Sequence, residues 1–115
     1  MSTNVDNLVF VHYRGLMEEP KYDIEQTDSF SKWLRKLKDL NAKARILKRL
    51  QKIAMDGDFG DRESVGDGVS ELRFHFGPGY RVYYTLEGSK LIILLAGGSK
   101  QTQERDIAKA KDMLK

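Results

Sequence analysis

Glu71, Arg73 and His75 alternate with Leu72, Phe74 and Phe76 in one short stretch of the chain. After Gly77-Pro78-Gly79, Arg81 and Tyr83 repeat the polar alternation, and Lys100 follows the next apolar run. If the two runs pair in register as a hairpin, Arg73 and Arg81 point the same way from adjacent strands. Two guanidiniums on one strand face suit a bound anion, or else paired carboxylates such as Glu71. Metal-free RNA cleavage by the 2′-hydroxyl needs cations for the charge building on phosphoryl oxygens, and a proton acceptor and donor. Arg73, Arg81 and Lys100 have the chemistry for the first task. His75 and Glu71 are the candidate bases, and Tyr83 is a candidate for stacking on a base or donating a proton. The competing readings are a cross-strand Arg–Glu pair and a histidine hydrogen-bonded for structure alone.

Other chemistries fit less well. The 115 residues include no cysteine and two histidines, His12 and His75, which leaves no thiol chemistry and too few ligands for a usual transition-metal site. The loop from Asp56 fails as a calcium loop because its sixth position is Asp61, not glycine. Gly97-Gly98 before a helix start is a weak phosphate-nest signal, and no P-loop or dinucleotide fingerprint is present. No cofactor is expected. Neither a membrane span nor a secretory signal is legible, so a cytoplasmic location is expected.

The elements that position these residues follow from periodicity. Leu8 to Tyr13 is β-prone and reads as an extra edge strand or a loose arm, and Tyr22 to Thr27 is a weak strand signal. Asp28 is the expected N-cap of a helix whose apolar face is Phe30, Trp33, Leu34 and Leu37. After a break at Asp39-Leu40-Asn41, a second helix carries Ile46, Leu47, Leu50, Ile53 and Ala54, completing a helical hairpin. The glycine-rich, acidic stretch from Asp56 to Gly68 reads as a loop. The meander Glu71–Phe76, Tyr80–Thr85 and Lys90–Ala96 comes next, its last strand central and covered on both faces. Ser99 or Thr102 caps a closing helix with Ile107, Ala110, Met113 and Leu114 inward. The order β-α-α-β-β-β-α predicts a single α+β domain over residues 21–115, preceded by an extension over residues 1–20.

Charge is concentrated in the helical hairpin. The chain carries +3 overall, yet the segment Ser31–Met55 holds nine basic residues against Asp39 alone, which makes it +8 and the remainder −5. Lys32, Arg35, Lys36, Lys43, Arg45, Lys48, Arg49 and Lys52 are the candidate RNA-binding residues of this stretch, with Tyr83 from the meander. A solvated helix face is the plain alternative.

The run Val65 to Tyr84 (VGDGVSELRFHFGPGYRVYY) resembles the phage-derived HigB-like branch of the RelE/ParE toxin superfamily. So do Leu91 to Lys100 (LIILLAGGSK), Gln101-Thr102-Gln103, the Asp106–Ala110 helix, Thr27 to Leu37 and Ala44-Arg45-Ile46, together spanning about residues 22–115. The resemblance implies a RelE-like α+β toxin of a type II toxin–antitoxin pair. Its mRNA-cleaving members cut messenger RNA on the ribosome and are held inactive by a cognate antitoxin, often a helix-turn-helix DNA binder. By motif position, Arg73 falls where such toxins place a catalytic arginine, Arg81 on the arginine of the following strand, and Lys100 on the basic residue after the last strand. The tyrosine or histidine that many members carry near the start of the last helix is replaced by Gln101, Thr102 and Gln103. Three activities are therefore weighed: a ribosome-dependent endoribonuclease, a non-nucleolytic toxin acting on DNA gyrase, and an inactive toxin retained as an antitoxin-binding partner. Residues 1–20 lie outside the resemblance, and Met17 is the expected natural start.

Overall fold

A computed structural model describes residues 9–11 and 19–115. The strand β1 (Val9–Val11) is followed by β2 (Asp23–Gln26), α1 (Asp28–Lys36) and α2 (Leu40–Asp56). Strands β3 (Arg62–Gly66), β4 (Val69–Arg73), β5 (Tyr80–Glu87) and β6 (Leu91–Ser99) come next, then a 3₁₀ turn and α3 (Gln103–Asp112). The six strands form one sheet in the order β1-β2-β6-β5-β4-β3. All neighbours are antiparallel except β2 and β6, which run parallel because α1, α2 and the meander intervene. The α+β class and the order of helices thus follow the expectation, with two strands added.

The first added strand is β1, paired to β2 through Val9–Gln26, Phe10–Glu25 and Val11–Ile24, so part of the Leu8–Tyr13 run is an edge strand. The rest of that run and Met17 lie outside the described residues. The second corrects the Asp56–Gly68 loop: its latter part is β3, joined to β4 by a tight turn with Asp67 at φ 55° and Gly68 at φ 81°. Arg62, Glu63 and Ser64 are all exposed, so this edge strand has no apolar alternation by which to be recognised.

The helix starts obey capping chemistry, the first of them one residue away from where expected. Thr27, not Asp28, caps α1: its Oγ1 accepts from Phe30 N–H at 3.0 Å and donates to the Leu95 carbonyl at 2.7 Å, tying the cap into β6. Asp39 caps α2 by accepting from Ala42 N–H, and Gly57 in the left-handed conformation ends it.

Strand alternation divides the apolar residues into two cores. Leu72, Phe74, Tyr80, Val82, Tyr84, Ile92 and Leu94 pack with Phe30, Ile46, Leu50 and Ile53 on the α1/α2 side. Val69, Tyr83, Ile93, Leu95 and Ala96 pack with Ala110 on the α3 side. The central strand β6 is therefore covered on both faces, as its apolar run requires. Gly97 and Gly98 lie within β6, opposite Val82 and Arg81, and form no phosphate nest. A Cβ on Gly97 would overlap the Trp33 indole, and one on Gly98 would overlap the Asp106 carboxylate. Close packing on each face accounts for the glycine pair.

Candidate active site

The β4–β5 register places Arg73 directly opposite Arg81 and Glu71 opposite Tyr83, so the four side chains share the α3 face of the sheet. On the other side of β4, Glu71 stands opposite Glu63 of β3. Two carboxylates facing across a ladder repel unless a cation joins them. Arg73 does so: its Nε donates to Glu71 Oε2 at 3.0 Å and its Nη2 donates to Glu63 Oε2. Gln103, at the start of α3, donates to both Glu71 oxygens at 2.9 and 3.2 Å.

This network changes the role of several sequence candidates. Glu71 is buried at 1% exposure and its oxygens are taken by Arg73 and Gln103, so it is a structural acceptor and not an open base. Arg81 is also buried, with Nη1 donating to the carbonyls of Gly79 and Tyr80 and Nε lying 4.0 Å from Glu71. Tyr83 is fully buried between β4, β6 and α3, so its ring has no free face for a nucleobase. Burial, reinforced by the charges of Glu71 and Asp106, raises the Tyr83 pKa further above its ordinary value of 10.0. The phenol keeps its proton and its hydroxyl has no hydrogen-bond partner.

His75 lies beyond the end of β4, where Phe74 N–H still bonds the Tyr80 carbonyl at 3.0 Å and Gly79 N–H bonds that of Phe76. Its imidazole is 67% exposed, and Nε2 lies 2.5 Å from Asp61 Oδ2. Asp61 is anchored in turn, because its backbone carbonyl accepts from Arg73 N–H at 2.9 Å. The hydrogen bond from His75, aided by the charges of Arg73 and Arg81, holds the Asp61 carboxyl below its usual 3.8. The result is an accessible histidine–carboxylate pair beside Arg73. Lys100 is exposed at the rim, its Cβ packed near Gly79 of the turn next to Arg81.

The basic residues separate into groups. Arg45, Lys48, Arg49 and Lys52 of α2 surround a cleft of about 320 Å³ whose remaining lining is Phe74 and Phe76. The Arg45 guanidinium lies 4.0 Å over the Phe76 ring. Arg49 bonds both the carboxylate and the carbonyl of Asp58, at 3.2 and 3.1 Å. Lys32, Arg35 and Lys36 are exposed on α1 and do not line this cleft, and Lys43 reaches back to the Arg35 carbonyl at 3.5 Å.

The family model described as "Phage derived protein Gp49-like (DUF891)" matches residues 32–115. That match takes in α2, the meander and α3, and with them every residue of the network above. The chain belongs to the phage-derived Gp49-like family. A Haemophilus influenzae protein described as uncharacterized is 50% identical over 88 residues, which is 76% of this chain and 88% of the relative. The Gp49-like family falls within the RelE-like toxin superfamily and is associated with toxin–antitoxin systems.

Three residues of this candidate site had no local signal in the sequence. Asp61 comes from the segment read as a loop, Glu63 from the unrecognised edge strand, and Gln103 from a position noted only for what it lacks. Each is brought in by the β3–β4 ladder or by α3 docking, which are tertiary events. Among the described residues, no helix is long and apolar enough to cross a membrane.

Proposed function

We propose that this chain is the toxin of a type II toxin–antitoxin pair and acts as an endoribonuclease on messenger RNA at the ribosome, in the manner of the HigB-like branch. The single observation that carries this reading is the exposed His75–Asp61 pair standing beside Arg73. With Nε2–H donated to Asp61, the imidazole Nδ1 is left as the proton acceptor for a 2′-hydroxyl. The resulting oxygen attacks the adjacent phosphorus and the bond to the 5′-oxygen breaks. The products are a 2′,3′-cyclic phosphate and a 5′-hydroxyl, whose proton comes from the Lys100 ammonium or from water. The free Nη1 edge of Arg73, with Lys100, offsets the charge on the phosphoryl oxygens.

This assignment keeps His75, Arg73 and Lys100 as groups that meet the RNA. It gives Glu71 and Arg81 positioning roles beneath them, with Asp61 orienting the imidazole. The partner that restrains such a toxin is a cognate antitoxin, of the helix-turn-helix DNA-binding kind that the resemblance implies.

A second reading is favoured by a specific observation: two Arg73 donors, Nε and Nη2, already hold the carboxylates of Glu71 and Glu63. On that reading the chain is an inactive toxin retained for binding its antitoxin. Purified chain mixed with translating ribosomes separates the two. The endoribonuclease gives cut message ending in 2′,3′-cyclic phosphate, lost in His75→Ala, whereas intact message under every condition overturns it.

A further inference from the structure

The cleft on α2 lies apart from the His75–Asp61 pair but is built from the same three-residue segment. Phe74 and Phe76 line the cleft, while His75 between them bonds Asp61. The segment preceding β3 links the two places a second time: Asp58 is held by Arg49 of the cleft, and Asp61, three residues on, holds His75. None of the six lining residues is acidic. Arg49 is engaged by Asp58, which leaves Lys48 and Lys52, both exposed, as the cations open to an incoming anion. Arg45 is different again. Its guanidinium carbon lies 4.0 Å over the Phe76 ring centroid, so the cation rests on an aromatic support in a cation–π contact.

We infer that this cleft is a subsite for single-stranded RNA, in which Lys48 and Lys52 take backbone phosphates and the Arg45–Phe76 contact takes an unpaired base. The inference rests on the endoribonuclease reading for its substrate and extends it to a second point of attachment on the same strand. A strand running past the tip of the β4–β5 hairpin meets the cleft on the α2 side and His75 at the tip. Unstacked bases of single-stranded RNA lie readily on arginine planes and aromatic rings, whereas an acidic peptide would use the lysines and leave the Arg45–Phe76 contact without a role.

The test is binding, read separately from cleavage. A fluorescent 2′-O-methyl RNA 12-mer, which lacks the attacking hydroxyl, is titrated into the full chain and followed by anisotropy across a salt series. Lys48→Ala/Lys52→Ala should lower the slope of log K on log salt by about 1.4, roughly 0.7 for each phosphate no longer neutralised. Arg45→Ala should weaken binding about tenfold, and Arg45→Lys should fail to restore it, because an ammonium keeps the charge but not the plane. Lys109→Ala, an exposed lysine of α3 on the opposite face of the sheet, should bind as wild type. All four positions changed are exposed, and circular dichroism checks that each variant is folded. Unchanged affinity and slope in the cleft variants would overturn the subsite even if the wild type cuts message. Loss of binding in them would uphold it even if the wild type cuts nothing. A poly-glutamate peptide that displaces the RNA and is itself bound more tightly through Arg45 would overturn it in favour of a protein partner.

Discussion

The two sides of the β4–β5 hairpin treat their cations in opposite ways. On the α2 side, Arg49 is held by Asp58, but Arg45, Lys48 and Lys52 stand around a cleft with no acid in its lining, and the aromatic floor supports one guanidinium by a cation–π contact. On the α3 side, Arg73 and Arg81 sit among Glu63, Glu71 and backbone carbonyls, and much of their charge is spent inside the protein. A run of basic residues and a pair of aligned arginines are therefore not equivalent signals. The former remains available to a polyanion, whereas the latter first has to satisfy the buried carboxylate beneath it. The cleavage proposed above rests on the part of the site that stays in water: His75, Asp61 and the outer edge of Arg73.

The sharpest way to break this contrast is to remove the buried acid. Glu71→Ala leaves Arg73 Nε and the Gln103 amide without their acceptor and takes the nearest carboxylate from Arg81. Breaking a buried pair on one side should cost about 3–5 kcal/mol, measured by urea unfolding. A loss below about 1 kcal/mol would mean that the network is solvated and the two sides are not so different. Next in size is Gly97→Ala on the α1/α2 side. The added methyl meets the Trp33 ring, and overpacking of this kind costs about 1–3 kcal/mol, again by urea. An unchanged midpoint would show that Trp33 does not rest on β6 in solution.

The smallest effect concerns pH and sharpens the picture of the tip. Asp58 is held below 3.8 by the Gly60 N–H and by Arg49, and Asp61 by His75 and the arginines nearby. A depressed carboxyl stabilises the folded chain above its unfolded value, and that contribution fades as pH falls through the folded one. Both interactions should therefore be complete above about pH 4 and disappear only in stronger acid. Carboxyl-detected NMR titration checks this, and an Asp61 that titrates at 3.8 or above would contradict the bond to His75.

Much of this arrangement was legible in the sequence because it rests on local patterns. The i, i+3, i+4, i+7 spacing of Phe30, Trp33, Leu34 and Leu37 sets α1 on the sheet, and the alternation around Arg73 and Arg81 sets their register. The apolar run Leu91–Ala96 marks the strand buried on both faces. What was not legible depends on surroundings. β3 is an exposed edge strand whose residues carry no apolar period, and Gly97-Gly98 looks like a turn until Trp33 and Asp106 are known to press on it. Thr27 outcompetes Asp28 as cap because its hydroxyl also reaches Leu95, a residue 68 positions away. The meander's polar face reads as open chemistry, and only the docking of α3 turns Glu71, Arg81 and Tyr83 into an interior.

That His75, held by Asp61 beside Arg73, cuts RNA can be checked in living cells by inducing wild type and His75→Ala in a bacterium and mapping transcript 5′ ends within minutes. His75 is exposed, so the substitution should leave the fold intact while removing the proposed proton acceptor together with its bond to Asp61, an expected loss of about 10²–10⁴ in rate. New cuts inside translated codons are expected with the wild type, and their disappearance with His75→Ala. Cuts that persist undiminished in His75→Ala, or growth arrest with no cuts at all, would contradict a catalytic His75.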